Sequence, residues 1–369
     1  MAEIVPASVC APFPAETEER VRVTSLIHKW VFTLEDGNLI YVLEPQSNCS
    51  ITFDENWAPY AQLQGSFRWV DDNARQRLDP RLPSMIRVKA GYVWGYNTEN
   101  VYDMAVLHLR SATISAPSMD VEITAASSEC ELQDYLWYLA SDAPVPTGDT
   151  KTALAWCLDN AHNHEPFVAE TNGGAVKLPP DGVKRGQNIW DLARDIAAGG
   201  NTWFYHDGLG QWHLRPRPIP VSTAKTVLQT GPSGTIISYQ IGQDREQYAD
   251  GLIVRHKWSE GSGSSSTSKE VTGKSSIANP TRWRLIDRDT AIDQDGVNAE
   301  AKTLLARYMD RRRTVEVTAK AAYWVRPGDT VSLKVPGLEA LARVSRVQFA
   351  YPAGRMQVRL VLPESEPIL

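Results

Sequence analysis

The strongest constraint on this chain is the beat of its apolar residues. From about Val21 they recur at every second position in short runs, and turn residues break the runs. Trp30-Phe32-Leu34 and Leu39-Tyr41-Leu43 flank Asp36-Gly37-Asn38, the pattern of a hairpin. Similar runs follow at Ser50 to Phe53, Tyr60 to Trp69, Met85 to Tyr92, Tyr102 to Arg110 and Met119 to Ala125. Asp71-Asp72-Asn73, Asp79-Pro80 and Gly95-Tyr96-Asn97 separate them. A period of two sends alternate side chains to opposite faces of a strand, so each run predicts a strand with one buried face. Five to seven such strands between Val21 and Ala126 predict a small barrel or a compact sandwich.

The beat changes near Glu129. Asp149 or Thr150 caps a predicted helix through Ala161, with Leu154, Cys157 or Leu158, and Ala161 on one face. A second helix, Asn188 to Ala198, carries Ile189, Leu192/Ala193 and Ile196, and Gly199-Gly200 stops it. Strands Thr202 to His206 and Gln211 to Pro216 follow, so this stretch is a small α+β unit. Strands then resume at Thr235 to Ile241 and Tyr248 to Trp258. Residues 259–275 are Ser/Gly-rich without an apolar period and predict a mobile loop. A helix over Val297 to Arg313 ends on Arg311-Arg312-Arg313, which complements its dipole. Four strands close the chain, and Arg326-Pro327-Gly328-Asp329 between them has type II turn chemistry. The divisions are an arm (1–19), a first β-barrel (20–127), an α+β domain (128–220) and a second β-barrel (221–369) interrupted by the loop and the helix.

Composition narrows the function. The 369 residues suit several domains, and a formal charge of −6 argues against a chain-wide reader of nucleic acid. Trp (12) outnumbers Phe (7), which suits β cores, subunit contacts or sugar platforms. No apolar run approaches the about 20 residues of a membrane helix. Met1 to Ala15 holds neither a basic lead nor a long apolar run, so no secretory signal is expected. Cys10, Cys49, Cys130 and Cys157 are too scattered for a zinc site or a disulfide framework, and reduced buried thiols are expected.

Candidate chemistry is sparse. His162-Asn163-His164-Glu165 is the best metal-ligand motif, but it sits past a helix without a second ligand pair, and an exposed polar loop is the expectation. Asp54-Glu55, Asp71-Asp72 and Glu129/Glu131 are carboxylate pairs near Trp57 and Trp69, yet a glycosidase needs two acids facing each other across a cleft. Gly261-Ser262-Gly263 lies in low-complexity sequence and builds no nucleophile elbow. Phosphate-binding glycine motifs are absent. No catalytic, cofactor-binding or metal-binding residue is assigned. Trp30, Trp69, Trp94, Trp203, Trp212, Trp258 and Trp324 fall in or beside strands, with Trp156 and Trp190 in helices; packing is the expectation for all of them.

The order of units resembles the hub and tail-tip proteins of tailed bacteriophages. Three stretches carry the likeness: the opening β unit with Val101-Tyr-Asp-Met-Ala-Val-Leu-His-Leu-Arg110; Lys184 to Ala198 followed by Asn201-Thr-Trp-Phe-Tyr-His-Asp-Gly208; and the last helix running into Val315-Glu-Val-Thr318, Trp324 to Val331 and Ala342 to Val347. The resemblance implies a mainly β chain with an α+β insert and two small tudor-like (SH3-like) barrels. It implies a homotrimer whose six barrels join a sixfold tail tube to a threefold tip, and a lumen that passes DNA or the tape-measure protein. Tube, tape-measure and tip or central fibre proteins are the implied partners. The implied place is the virion, assembled in the host cytoplasm, without membrane insertion. A hub of this kind is not an enzyme, and the end at Leu369 leaves no room for a lysin domain. A negative protein also suits a DNA conduit, since like charges do not stick. The competing expectation is a carbohydrate-binding or cell-wall-active tail protein.

Overall fold

A computed structural model describes residues 26–362 apart from 47, 69–71, 95–97, 139–147, 177–185, 218–222, 233, 244–247, 261–265, 290 and 311–312. The expected arm 1–19, Trp69, Asp71 and the pair Arg311-Arg312 lie outside the described residues.

The alternating runs become strands. β1 (Ile27–Asp36) and β2 (Leu39–Leu43) form the hairpin, with Gly37 at φ +57° in the turn. β3 (Ser50–Asp54), β4 (Ala61–Phe67), β5 (Met85–Trp94), β6 (Thr98–Ser115) and β7 (Asp120–Ala126) complete the first β unit. Asp72–Arg77, expected to begin in a turn, winds into a short helix, α1. The chain beyond β2 returns to β4: Arg68 donates from its amide to the Glu44 carbonyl, and Gln46 to that of Ser66. The unit therefore curls around its inward row of Phe32, Leu34, Ile51, Phe53 and Leu63.

The α+β unit follows. α2 (Glu129–Asp134) leads to β8 (Gly148–Asp149) and α3 (Thr150–Asn160), whose cap is Asp149 accepting from the Thr152 amide. β9 (Phe167–Ala169), β10 (Ala175–Val176) and α4 (Ile189–Gly199) come next, and the Asn188 side chain caps α4. The α4 stripe, Ile189, Leu192, Ala193 and Ile196, is buried as its spacing demands. β11 (Thr202–His206) and β12 (Trp212–Pro216) pair antiparallel, and β9 adds to β12 in parallel.

The second β unit holds β13 (Thr226–Gln229), β14 (Ile236–Gln243), and, beyond an insert, β18 (Arg313–Lys320), β19 (Thr330–Val335), β20 (Leu338–Ala350) and β21 (Arg355–Val361). Gly328 takes φ +89° in the Arg326–Asp329 turn, and the Asp329 amide donates to the Arg326 carbonyl.

The insert corrects the sequence reading. Residues 259–260 and 267–275 are strand and not a mobile loop, while 261–265 lie outside the described residues. β15 (Gly251–Glu260) runs into that stretch, and β16 (Thr267–Ser276) pairs with β15 along its whole length. β17 (Trp283–Arg288) joins the other side of β15 in parallel, and helix α5 (Gln294–Asp310) covers one face. Leu252, Val254, Val297 and Ala301 form the insert's own core. β16 is polar because its outward side chains are exposed and its ladder, not an apolar row, holds it.

The two β units are not separate bodies. β3 pairs with β20, so one hydrogen-bonded path runs β14-β18-β21-β20-β3-β4-β7-β6-β5-β1-β2. Strand pairing among the described residues closes no barrel. A single hydrophobic core spans both units, where Phe349 of β20 meets Phe53 of β3. The chain is thus mainly β with an α+β insert, as expected.

Candidate functional site

The densest chemistry lies where the α+β unit meets the first β unit. β11 is buried on both faces. Trp203 and Tyr205, stacked at 3.9 Å, point into the shared β core, whereas Phe204 stacks on Trp212 in the α+β core. The strand's last residue, His206, is thereby carried to 1% exposure. Its Nδ1 lies 3.2 Å from the Gly208 amide and 3.4 Å from that of Ser128, so Nδ1 accepts. Nε2 then carries the proton toward Glu165 Oε2, 3.2 Å away.

Glu165 also accepts from Ser128 Oγ (3.1 Å) and Asn163 Nδ2 (3.2 Å). Burial pushes its pKa up, but the close contact with His206, with the hydrogen bonds from Asn163 and Ser128, outweighs it and holds the carboxyl at about 2. Glu129 behaves oppositely. It is wholly buried, and burial raises its pKa. Its Oε1 takes the amides of Tyr60 (3.2 Å) and His206 (2.9 Å), tying β11 to the start of β4. Asn163 Oδ1 accepts from the Trp212 indole at 3.0 Å.

Ser128 Oγ, His108 and Glu131 stand in the order of a nucleophile, a base and an acid: 3.0 Å from Oγ to Nε2, and 3.4 Å from Nδ1 to Oε1. Ser128 is 1% exposed, however, and its hydroxyl proton serves Glu165. No substrate carbonyl can reach it. This network clamps two units together.

The residues singled out in the sequence are scattered. His162, at φ +56°, and His164 are exposed, while Glu165 turns inward, so the motif builds no chelate. Among the described residues no group of three or more His, Cys, Asp or Glu is placed to hold a metal ion. Asp54 accepts from the Asn56 amide, and Glu55 pairs with Arg343 of β20. Glu129 and Glu131 part company, one in the core and one at the surface. The Asp72 side chain and Asp71 lie outside the described residues. Cys49, Cys130 and Cys157 are free and buried. Most described tryptophans pack inward; the exposed Trp57 and Trp283 lie under Arg346 and Lys274 instead of forming a bare platform.

Sequence reasoning missed the clamp and the joint between the β units. At the joint Arg326 lies 4.3 Å over the Phe53 ring, donating to the Tyr323 carbonyl at 2.7 Å and toward Met104 of β6. Tyr92 of β5 donates to the Ala321 carbonyl at 2.6 Å. The one local signal was His206, a titratable residue ending an otherwise apolar strand.

No protein-family model matches the chain, and no curated protein sequence matches it. Solved structures do. The chain is similar to the tail protein of Neisseria meningitidis MC58, with a TM-score of 0.64 and 14% identity over 90% of this chain and 96% of that one. It is similar to the 43 kDa tail protein of prophage MuSo2 from Shewanella oneidensis, with a TM-score of 0.60 and 13% identity over 90% and 98%. It is also similar to prophage tail protein gp18 of Listeria monocytogenes EGD-e, with a TM-score of 0.54 and 10% identity over 91% and 95%. Its fold, from the first β unit through the α+β unit to the second, is that of the phage tail proteins whose order of elements its sequence resembles.

Proposed function

We propose that this chain is a structural hub of a phage tail, a ring of three copies between a sixfold tail tube and a threefold tip. The observation that carries the reading is the pair of β units joined edge to edge by β3 and β20 within a fold shared with tail proteins. Two similar β units per chain supply six in a trimer, which meets a sixfold tube without a symmetry mismatch. The curled first unit, with its return bonds from Glu44–Gln46 to Ser66–Arg68, supports a small tudor-like barrel. The barrel at 20–127, the α+β domain at 128–220 and the second barrel at 221–369 are kept as proposed divisions, and the separate core of β15–β17 and α5 supports counting that insert as a unit of its own within the last.

In this role the chain does scaffolding, not catalysis. The buried Glu129–His206–Glu165 clamp fixes the α+β unit to the ring wall, and Glu55–Arg343 fixes the two β units in register. Tail tube, tape-measure and tip proteins are its partners, the virion is its place, and DNA passes through the ring. Light scattering of the purified chain, alone and with the tube's last ring, tests the reading. A threefold mass in either state is expected, and a strict monomer in both overturns it.

A further inference from the structure

We infer that the outward face of the sheet from β14 to β4 is the wall of the channel, and that double-stranded DNA slides over it. This rests on the hub reading. The strand registers place one row of uncharged polar side chains across six strands: Ser238, Thr318, Gln357, Gln348, Thr52 and Gln62 stand side by side. The row crosses the β3–β20 joint without a break, so it belongs to both β units.

Beside it, where β20, β3, β4 and β7 meet, lies a groove of about 380 Å³. Among the described residues no carboxylate lines it, although the chain has 44 Asp and Glu. Gln64 and Thr124 continue its amide and hydroxyl lining, and among the described residues its only charges are two guanidiniums. Of these, Arg110 is paired with Asp134 and Arg346 lies 4.8 Å over Trp57. In the rows on either side, Lys320, Arg355, Arg359 and Arg346 outnumber Glu316 and the buried Asp54. The face is therefore weakly positive in a chain of charge −6.

That balance fits a polyanion in transit. Lysines and arginines on phosphates release counterions and bind tightly at low salt, and rows of carboxylates repel. Amides and hydroxyls do neither, and they exchange hydrogen bonds with hydrated phosphates at little net cost. Most of the acids that make the chain negative lie elsewhere, and with Arg359 paired to Glu316 and Arg346 over Trp57 the face meets DNA mainly through its amides and hydroxyls.

The test uses tail particles assembled with the Gln62→Arg/Gln348→Arg chain. Normal assembly is expected, with DNA release slowed about tenfold in low salt and restored in high salt. Release at the unmodified rate at every salt overturns the inference. Slowed exit of the tape-measure protein with unchanged DNA release also overturns it, and assigns the face to a polypeptide. If the arginine variant fails to assemble, particles carrying Gln62→Cys decide. A small maleimide is expected to react and a large polymer-linked maleimide is not, while both react with the free chain. Reaction with both in particles places the face outside, and reaction with neither buries it in a protein contact; either result overturns the inference. Absence of the chain from purified tails defeats the hub reading instead.

Discussion

A shared core has a measurable consequence at Phe349. This ring is wholly buried in β20, sits opposite Ile51 of β3, and has its centroid 6.5 Å from Phe53 and 5.4 Å from Tyr323. Phe349→Ala removes a benzyl group at the seam between the β units, where the paired strands limit collapse into the space. Such a change costs about 3–5 kcal/mol. At about 1.4 kcal/mol per decade, the globally unfolded population rises by about two to three and a half orders of magnitude. Phe349→Leu keeps most of the volume and costs under about 1.5 kcal/mol. The assay is hydrogen exchange read by segment. Amides of β3 and β4, far away in sequence, are expected to lose protection together with those of β20 and β21. The α+β segments around Leu192 and the insert around Val254, which pack in separate cores, are expected to change least. Loss confined to β18–β21 refutes the single core and restores two independent barrels.

Two further outcomes follow from the clamp and the insert. Glu165 has its pKa lowered in the folded chain, so its stabilising contribution is present above the ordinary carboxylate range near 4.5 and is lost as pH falls toward 2; the melting temperature is expected to drop over that window, and Glu165→Gln to lower it at neutral pH while flattening the acid decline. Gly273 of β16 packs against the Val297 backbone of α5, leaving no space for a Cβ; Gly273→Ala is expected to cost about 1–3 kcal/mol and to speed exchange across β15–β17, whereas a mobile loop would tolerate it unchanged.

How much of this was legible depends on the range of the forces. Most of strands β1 to β7 and β18 to β21 could be read because a half-buried strand writes its burial into alternate residues, while β3, buried on both faces, still alternates Ile51 and Phe53 with Thr52 and Asp54. The cap of α3 could be read as far as Asp149 or Thr150, because capping is settled within three residues, and the structure chooses Asp149. β16 could not, since Thr267 to Ser276 buries almost nothing and is held by its ladder to β15 and by α5 against Gly273. The clamp could not either: Glu129, Glu165 and His206 each read alone as a strand-end or loop residue, and only the packing of β11 between two cores brings them together. The β3–β20 joint shows the limit most plainly. Ile51 and Phe53 on one strand and Val347 and Phe349 on the other announce which face is inward, but alternation fixes a strand's face and leaves its partner open. The partner was chosen by side chains that no local pattern connects: the pairing of Glu55 with Arg343 and the guanidinium of Arg326 over Phe53. The same two contacts turn a pair of β units into one continuous wall, so the feature least visible in the sequence is the one on which the proposed channel face depends.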